Sequence, residues 1–503
     1  MRGPGVFAVL LFLVVGVTLA LRKPAKIRPQ PARDKLDDTV FHWSQRDPVS
    51  VRDVLRSVSV MGATGSSKTA GAGAFLMRSL LAYTRSGGII HGAKPEDLER
   101  FRDMFAKAGR AADLLVFSPR SGACCNYLDF ISRELGGDAR EVTKFLVVVK
   151  EGMRGGDNSG GGEMGNFWEL AQEEQLNHSV VAIRLAEKKV RVKSLRDFIS
   201  GAALNPAQLD DPKWRDGYHN NVLRTAHANC KNRIDAMDLD AATQFWTRRY
   251  PNLAEKTRSC IDFGCLNLLS NYDLGIVRRM ISEESNFSPL DTLKGRWIYC
   301  DMAPAEHGPS GGIVNMGLKY LAQRMILRRS FTPGEFIHVI FADEAQEFVN
   351  SFDSQYLAQC RSHGGCMIYM SQSLPSYYGA ASLKGESGKH QAQALLSNFG
   401  TKIFHALGDV ESARWAAELV GRERKIMYGG STQPAELFDE LMGLTRFSGS
   451  FSEQMQYIIE PQQFLKGRTG GPMNDFKADA IVVKSAEPFS HGTNVLFTTF
   501  SQR

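Results

Sequence analysis

A lysine and a threonine stand side by side at the end of a run of small residues: Gly62, Ala63, Thr64, Gly65, Ser66, Ser67, Lys68 and Thr69. Where such a run joins a strand to a helix N-terminus, its backbone N–H groups close around phosphate oxygens, helped by the helix dipole. The lysine then reaches the β and γ phosphates of a nucleotide, and the threonine hydroxyl ligates Mg²⁺. Ser67 departs from the usual pattern, which has glycine there so that the backbone approaches phosphate without a Cβ. Serine adopts the needed conformation only at some cost. A carboxylate pair, Asp343 and Glu344, ends the apolar run 336–342 (FIHVIFA). Asp343 is suited to holding the Mg²⁺ shell through water, and Glu344 to polarising the attacking water in phosphoryl transfer. Gln372 follows a second apolar run, 365–370 (GCMIYM), and an amide there can sense a γ phosphate or orient water. Arg361, just upstream, is expected in a helix that projects toward the next subunit of a ring, where it is a candidate for a cation supplied in trans to that subunit's transition state.

Positioning these groups takes a parallel sheet. Residues 57–61 (SVSVM) read as a strand running into the glycine-rich loop, and 70–83 as the helix after it. A near-continuous apolar run such as 336–342 is the pattern of a strand buried on both faces, and ligands collect at the C-terminal ends of strands in open α/β sheets. Further strands are expected at 88–91, 114–117, 297–300 and 401–407, with 478–483 and 494–500 finishing the sheet. The stretch between the first αβ unit and the carboxylate strand is far too long for one crossover, so a domain must be inserted. Residues 127–151, 166–188 and 238–271 carry helical spacing. The glycine-rich run 154–165 lacks both a preceding strand and a following Lys-Thr, and is not phosphate-like.

A chain of 503 residues exceeds the roughly 250–300 at which a single core stops growing. With 43% hydrophobic and 23% charged residues it is neither disordered nor collagen-like nor a polytopic membrane protein. Eight cysteines without a CxxC pair fit neither a disulfide framework nor a zinc site, which points to a reducing compartment. The net charge of +7 suggests nucleic acid until it is located: residues 1–35 hold seven lysines and arginines against Asp34, leaving the remainder nearly neutral. Beside those charges lies an apolar run at 6–21, interrupted only by Gly16 and Thr18. As a helix it falls just short of a bilayer core of about 30 Å. A cleavable signal peptide is the competing reading, since Thr18 and Ala20 are small. The charges following the run favour a retained single-pass membrane anchor with the body in the cytoplasm. The basic run Lys188, Lys189, Arg191, Lys193 and Arg196 either touches nucleic acid or solvates a helix end.

Taken together, GATGSSKT after a strand, FADEAQEF, the segment 359–378 (QCRSHGGCMIYMSQSLPSYY) and Leu395-Leu396-Ser397-Asn398 resemble the type IV secretion coupling proteins of bacterial conjugation, the TraG/TraD type within the FtsK/HerA class of motor ATPases. The likeness continues more weakly over 40–500. The resemblance implies an α/β fold, a RecA-like P-loop NTPase with a mainly parallel sheet, beside which the residues themselves lead us to expect an inserted all-α domain and a single N-terminal transmembrane helix. The expected organisation is an anchor (1–21), a basic linker (22–45), the first part of the ATPase core (46–125), an inserted helical domain (126–290) and the second part of the core (291–503); the resemblance is what names the core an ATPase. It further implies a homo-hexameric ring using ATP and Mg²⁺ to pump single-stranded DNA, delivered by a relaxase complex, toward a secretion channel. By position, phosphate contact falls to Lys68, Mg²⁺ contact to Thr69 and Asp343, water activation to Glu344, γ-phosphate sensing to Gln372 and the trans arginine to Arg361. Only one apolar N-terminal segment is visible where many members have two, which puts contact with a channel in doubt. A related motor acting on protein substrates or pilus assembly, and a docking scaffold that binds nucleotide but barely hydrolyses it, share the same motifs.

Overall fold

A computed structural model describes residues 34–154, 163–380, 385–432 and 447–502. The expected anchor and most of the basic linker lie outside these residues, as does most of the run 154–165. Among the described residues no helix is long and apolar enough to cross a membrane. The last residues expected in the linker are a paired strand instead. Residues Thr39–Ser44 form strand β1, paired antiparallel with β2 (Asp47–Ser50). The reason is aromatic: Phe41 and Trp43 pack edge to face with ring centroids 4.9 Å apart, and Phe41 meets Phe75 at 5.2 Å.

Among the described residues nine strands make the central sheet: β3 (Val58–Met61), β4 (Ser86–His91), β5 (Leu114–Phe117), β6 (Trp297–Cys300), β7 (Ile337–Ala342), β8 (Gly365–Ser371), β9 (Thr401–Phe404), β12 (Lys477–Lys484) and β13 (Val495–Ser501). Two more strands, β10 (Arg422–Thr432) and β11 (Phe447–Tyr457), pair only with each other as an antiparallel ribbon. The sheet order is β13-β12-β9-β3-β8-β7-β4-β6-β5. The strands from β9 to β5 run parallel, and β12 and β13 add an antiparallel hairpin along the β9 edge.

Side-chain alternation divides the core between the two faces of this sheet. Val58, Val60, Ile337, Val339, Phe341, Ile368 and Met370 point to one, where the helices Ala74–Ala82 and Asp97–Lys107 pack. Met61, Ile340, Ala342, Met367 and Tyr369 point to the other. That second face is continuous with the core of a helical region between β5 and β6, which begins at helix Tyr127–Glu134 and ends at Gly275–Ile281. Asn126 caps the first of these helices by accepting from the Asp129 amide at 3.0 Å. Four of the five cations of the basic run are paired within this region: Arg191 meets Glu284 at 3.0 Å, Lys193 meets Asp197 at 2.5 Å, Lys189 also pairs with Glu284, and Arg196 with Asp273.

Candidate nucleotide-binding site

Strand β3 delivers the loop 62–69 at the C-terminal edge of the sheet, between β8 and β9. Both neighbours hold it: the Gly62 amide donates to the Ser371 carbonyl at 3.2 Å, and the Ala63 amide to the Ala406 carbonyl at 2.9 Å. A Cβ on Gly62 would lie 2.3 Å from Ser66 Oγ and 2.8 Å from His405 Cβ, so this turn requires glycine. The chain then enters a π-helical turn, Thr69–Gly73, closed by the Gly73 amide donating to the Lys68 carbonyl at 2.8 Å. Such turns are rare and concentrate at functional sites. Ser67, at the departure from the glycine pattern, has φ of +68°. A side chain there costs about 1–2 kcal/mol of backbone strain, the reason glycine is usual.

The sheet order determines what faces the loop. Because β8 lies between β3 and β7, Gln372 at its end stands between the loop and the carboxylate pair at the end of β7. Lys68 Nζ donates to Glu344 Oε1 at 3.0 Å, with both side chains nearly buried. Thr69 Oγ1 donates to Asp343 Oδ2 at 2.7 Å. Gln372 Nε2 donates to Glu344 Oε1 at 3.3 Å, and its Oε1 accepts from Thr64 Oγ1 at 3.2 Å. Residues 274 to 308 positions apart in sequence thus share one network. It lines a cleft of about 740 Å³ whose other walls carry Lys94, Asp97, Arg100, Glu347 and Pro304.

Electrostatics separate the two carboxylates. Burial raises the pKa of Asp343, more than the Thr69 hydrogen bond and the Lys68 charge offset. For Glu344 burial also pushes upward, but hydrogen bonds from Gln346, Lys68 and Gln372 together with the Lys68 charge win, and its pKa falls. Glu344 is therefore held as the anion. Beneath the loop, burial lowers His405 to about 4 and leaves it neutral at ordinary pH.

Sequence reasoning assigned no role to Gln346, which fixes Glu344 from the far side. Its Nε2 donates to Glu344 Oε2 at 2.9 Å while its Oε1 accepts from Ser371 Oγ at 2.8 Å. The contact exists because Glu344 sits in the left-handed region at φ +46°, turning residues 344 and 346 toward each other. Spacing alone carries no sign of that. The structure does not bring Arg361 into this cluster. Arg361 is exposed, in the short 3₁₀ turn Cys360–His363 that precedes β8, rather than in a projecting helix. The seven residues of β8 put it roughly 20 Å from Gln372, at the opposite edge of the sheet.

Whether Mg²⁺ suits this site is answered by the donor set. Thr69 Oγ1 and the Asp343 carboxylate are hard oxygen donors of the kind Mg²⁺ takes, and Asp343 is a buried carboxylate whose ionisation burial opposes. The residues fit the ion.

A family model described as the TraM recognition site of TraD and TraG matches residues 338–465, which include β7, β8 and β9. Among solved structures, the unbound bacterial conjugative coupling protein TrwBdeltaN70 is similar at TM-score 0.53 and 14% identity, covering 94% of this chain and 89% of that one. The plasmid coupling protein TrwB in complex with ADP and Mg²⁺ aligns at TM-score 0.52 and 14% identity, covering 94% and 91%. TrwB with the non-hydrolysable GTP analogue GDPNP aligns equally well, at 0.52 and 14%, covering 94% and 92%. No curated protein matches the chain. The class is thus a mixed α/β protein built on a large, mainly parallel sheet, with the fold of TrwB. Within that class, the matches bear out the resemblance to type IV secretion coupling proteins of the TraG/TraD type.

Proposed function

We propose that this chain is a coupling-type motor ATPase, anchored in the inner membrane by its N-terminal segment, that uses ATP hydrolysis to move DNA. The observation that carries the reading is the convergence of Lys68, Thr69, Asp343, Glu344 and Gln372 at one edge of the sheet. The loop amides and Lys68 bind the phosphates. Thr69 and Asp343 would hold Mg²⁺, which when bound neutralises phosphate charge during transfer. Lys68 now donates to Glu344, so phosphate arrival draws its ammonium away and leaves Glu344 ionised. The carboxylate is still held by Gln346 and Gln372, oriented to take a proton from water. Gln372 contacts both the loop residue Thr64 and the base Glu344, and this pair of contacts suits it to couple γ-phosphate occupancy to base position. A ring with Arg361 acting across a subunit boundary accounts for its distance from the site of its own chain.

Single-stranded DNA with its relaxase complex is the proposed cargo, because the matched family and TrwB both belong to conjugation. The test is the ATPase rate of the full-length protein with and without single-stranded DNA, beside the Glu344→Gln variant. DNA-stimulated turnover that the variant lacks is expected. Turnover indifferent to DNA but stimulated by a protein substrate would favour the protein-directed motor, and binding without turnover would favour the docking scaffold.

A further inference from the structure

Ser67 occupies the position where the phosphate-loop pattern has glycine, and its hydroxyl is fully engaged by residues near the far end of the chain. Ser67 Oγ donates to the Thr469 carbonyl at 2.5 Å and accepts from Gln502 Nε2 at 2.6 Å. The other end of the same carboxamide, Gln502 Oε1, accepts from the Gly471 amide at 2.7 Å. Each proton in this circuit has one direction: Gly471 N–H to Gln502, Gln502 N–H to Ser67, Ser67 O–H to Thr469. Only a side chain that donates and accepts at once can close it, and a carboxamide does both. The frame behind Gln502 is anchored. Its amide donates to the Phe476 carbonyl at 2.9 Å, the Gly470 amide donates to the Lys477 carbonyl at 3.1 Å, and Thr469 bridges Ala478 beside β12. The carboxamide packs so closely that a Cβ on Gly470 would lie 2.5 Å from Gln502 Nε2. On the loop side, the Ser67 carbonyl accepts from the Gly71 amide at 2.7 Å, one residue ahead of the Lys68 carbonyl that closes the π-helical turn. Glycine at 67 would relieve the backbone strain but offer nothing to hold.

We propose that Gln502 is a positioning residue for the phosphate loop, holding residues 62–69 through Ser67 in the shape that receives a nucleotide's phosphates. The proposal rests on the reading of this loop as a phosphate site and adds to it the group that sets its resting conformation. It makes the antiparallel hairpin β12–β13 and the segment before it part of the nucleotide site, although neither contributes a side chain to the 740 Å³ cleft.

The test compares full-length wild type with Gln502→Ala, Ser67→Ala, Ser67→Gly and the double variant Gln502→Ala/Ser67→Ala. Amide hydrogen exchange of residues 62–69 is followed without nucleotide, and affinity is measured with a fluorescent ATP analogue. Loss of the Gln502–Ser67 hydrogen bond predicts exchange about fivefold faster in Gln502→Ala; Ser67→Ala, which also gives up the Thr469 contact, should exchange at least as fast, and the double variant no faster than Ser67→Ala. Affinity for the analogue should fall by a similar factor in each single variant, again without adding. Exchange unchanged by Gln502→Ala would overturn the proposal, as would an effect of Gln502→Ala that is the same size in wild type and in the Ser67→Ala background. Should Gln502→Ala disturb the hairpin itself, shown by faster exchange in β12, then Ser67→Ala and Ser67→Gly carry the test: exchange at 62–69 as slow as wild type in both overturns it. Faster exchange with unchanged affinity would mean that the contact is structural only, which also overturns the positioning role. A wild type that binds the analogue no better than Lys68→Ala would sink the phosphate-loop reading instead, a result separable from the exchange measurement.

Discussion

Replacing Asp343 by asparagine should make the nucleotide-free protein more stable at neutral pH while removing its use of Mg²⁺. The side chain is 4% exposed, accepts from Thr69 Oγ1 at 2.7 Å and from the Glu344 amide at 2.9 Å, and carries its charge beside the carboxylate of Glu344. Asparagine preserves the shape. Its carbonyl still accepts from the Glu344 amide, and its NH₂ donates to a Thr69 hydroxyl that rotates to accept. What changes is the charge, whose burial raises the Asp343 pKa. Removing a desolvated charge in favour of a well-fitting neutral group gains about 1–2 kcal/mol, toward the low end of measured cases because Lys68 already offsets part of the cost. The sign with pH follows from linkage. A carboxyl whose folded pKa is raised costs stability when ionised, above that pKa, and the cost fades as pH falls and the folded state takes up its proton. The advantage of Asp343→Asn should therefore be largest near neutrality and vanish in acid. Urea denaturation at the two pH values reads the first half, and the extra stabilisation from adding Mg²⁺ to saturating ADP reads the second, present in wild type and absent in the variant. A variant less stable than wild type at neutral pH would make Asp343 a structural acceptor, and an equal Mg²⁺ increment in both proteins would remove it from the metal site.

Lys68→Ala removes the loop's own side-chain cation, so ATP affinity should fall about 100-fold or more, as for the loss of charge-assisted hydrogen bonds to two phosphates; calorimetry showing wild-type affinity would refute the assignment. Glu344→Gln keeps the shape and loses the base, and should bind ATP normally with turnover reduced about 10²–10⁴-fold, which a phosphate-release assay checks. Arg361→Ala should also bind but not hydrolyse. Mixing it with Glu344→Gln should restore part of the activity through interfaces pairing an intact Glu344 with an intact Arg361, whereas subunits that exchange freely yet stay inactive would exclude a trans role.

Features legible in the sequence are those whose chemistry is local. The strand, the glycine-rich loop and the Lys-Thr pair lie within a dozen residues, so their succession can be read from residue types that are neighbours in the chain. The buried strands β7 and β8 were legible for a similar reason: a strand covered on both faces must be apolar at nearly every position, and IHVIFA and GCMIYM are. The ribbon β10–β11 was not, because the strands' described side chains are largely exposed. Ile426, Tyr428, Phe451 and Met455 remain exposed, so no alternation marks them.

Only the tertiary structure decided which groups meet. Three runs of apolar residues do not say that β8 lies between β3 and β7, yet that order alone puts Gln372 in contact with both Thr64 and Glu344. Likewise the left-handed turn at Glu344 brings in Gln346, and the packing of the sheet edge brings Gln502 to Ser67 across 435 positions. Sequence by itself determined the kind of chemistry, because phosphate, a divalent ion and an activated water each demand particular side chains. The partners that hold those side chains ready were determined by strand order and by single backbone dihedrals, which depend on the whole chain and leave no local pattern to read.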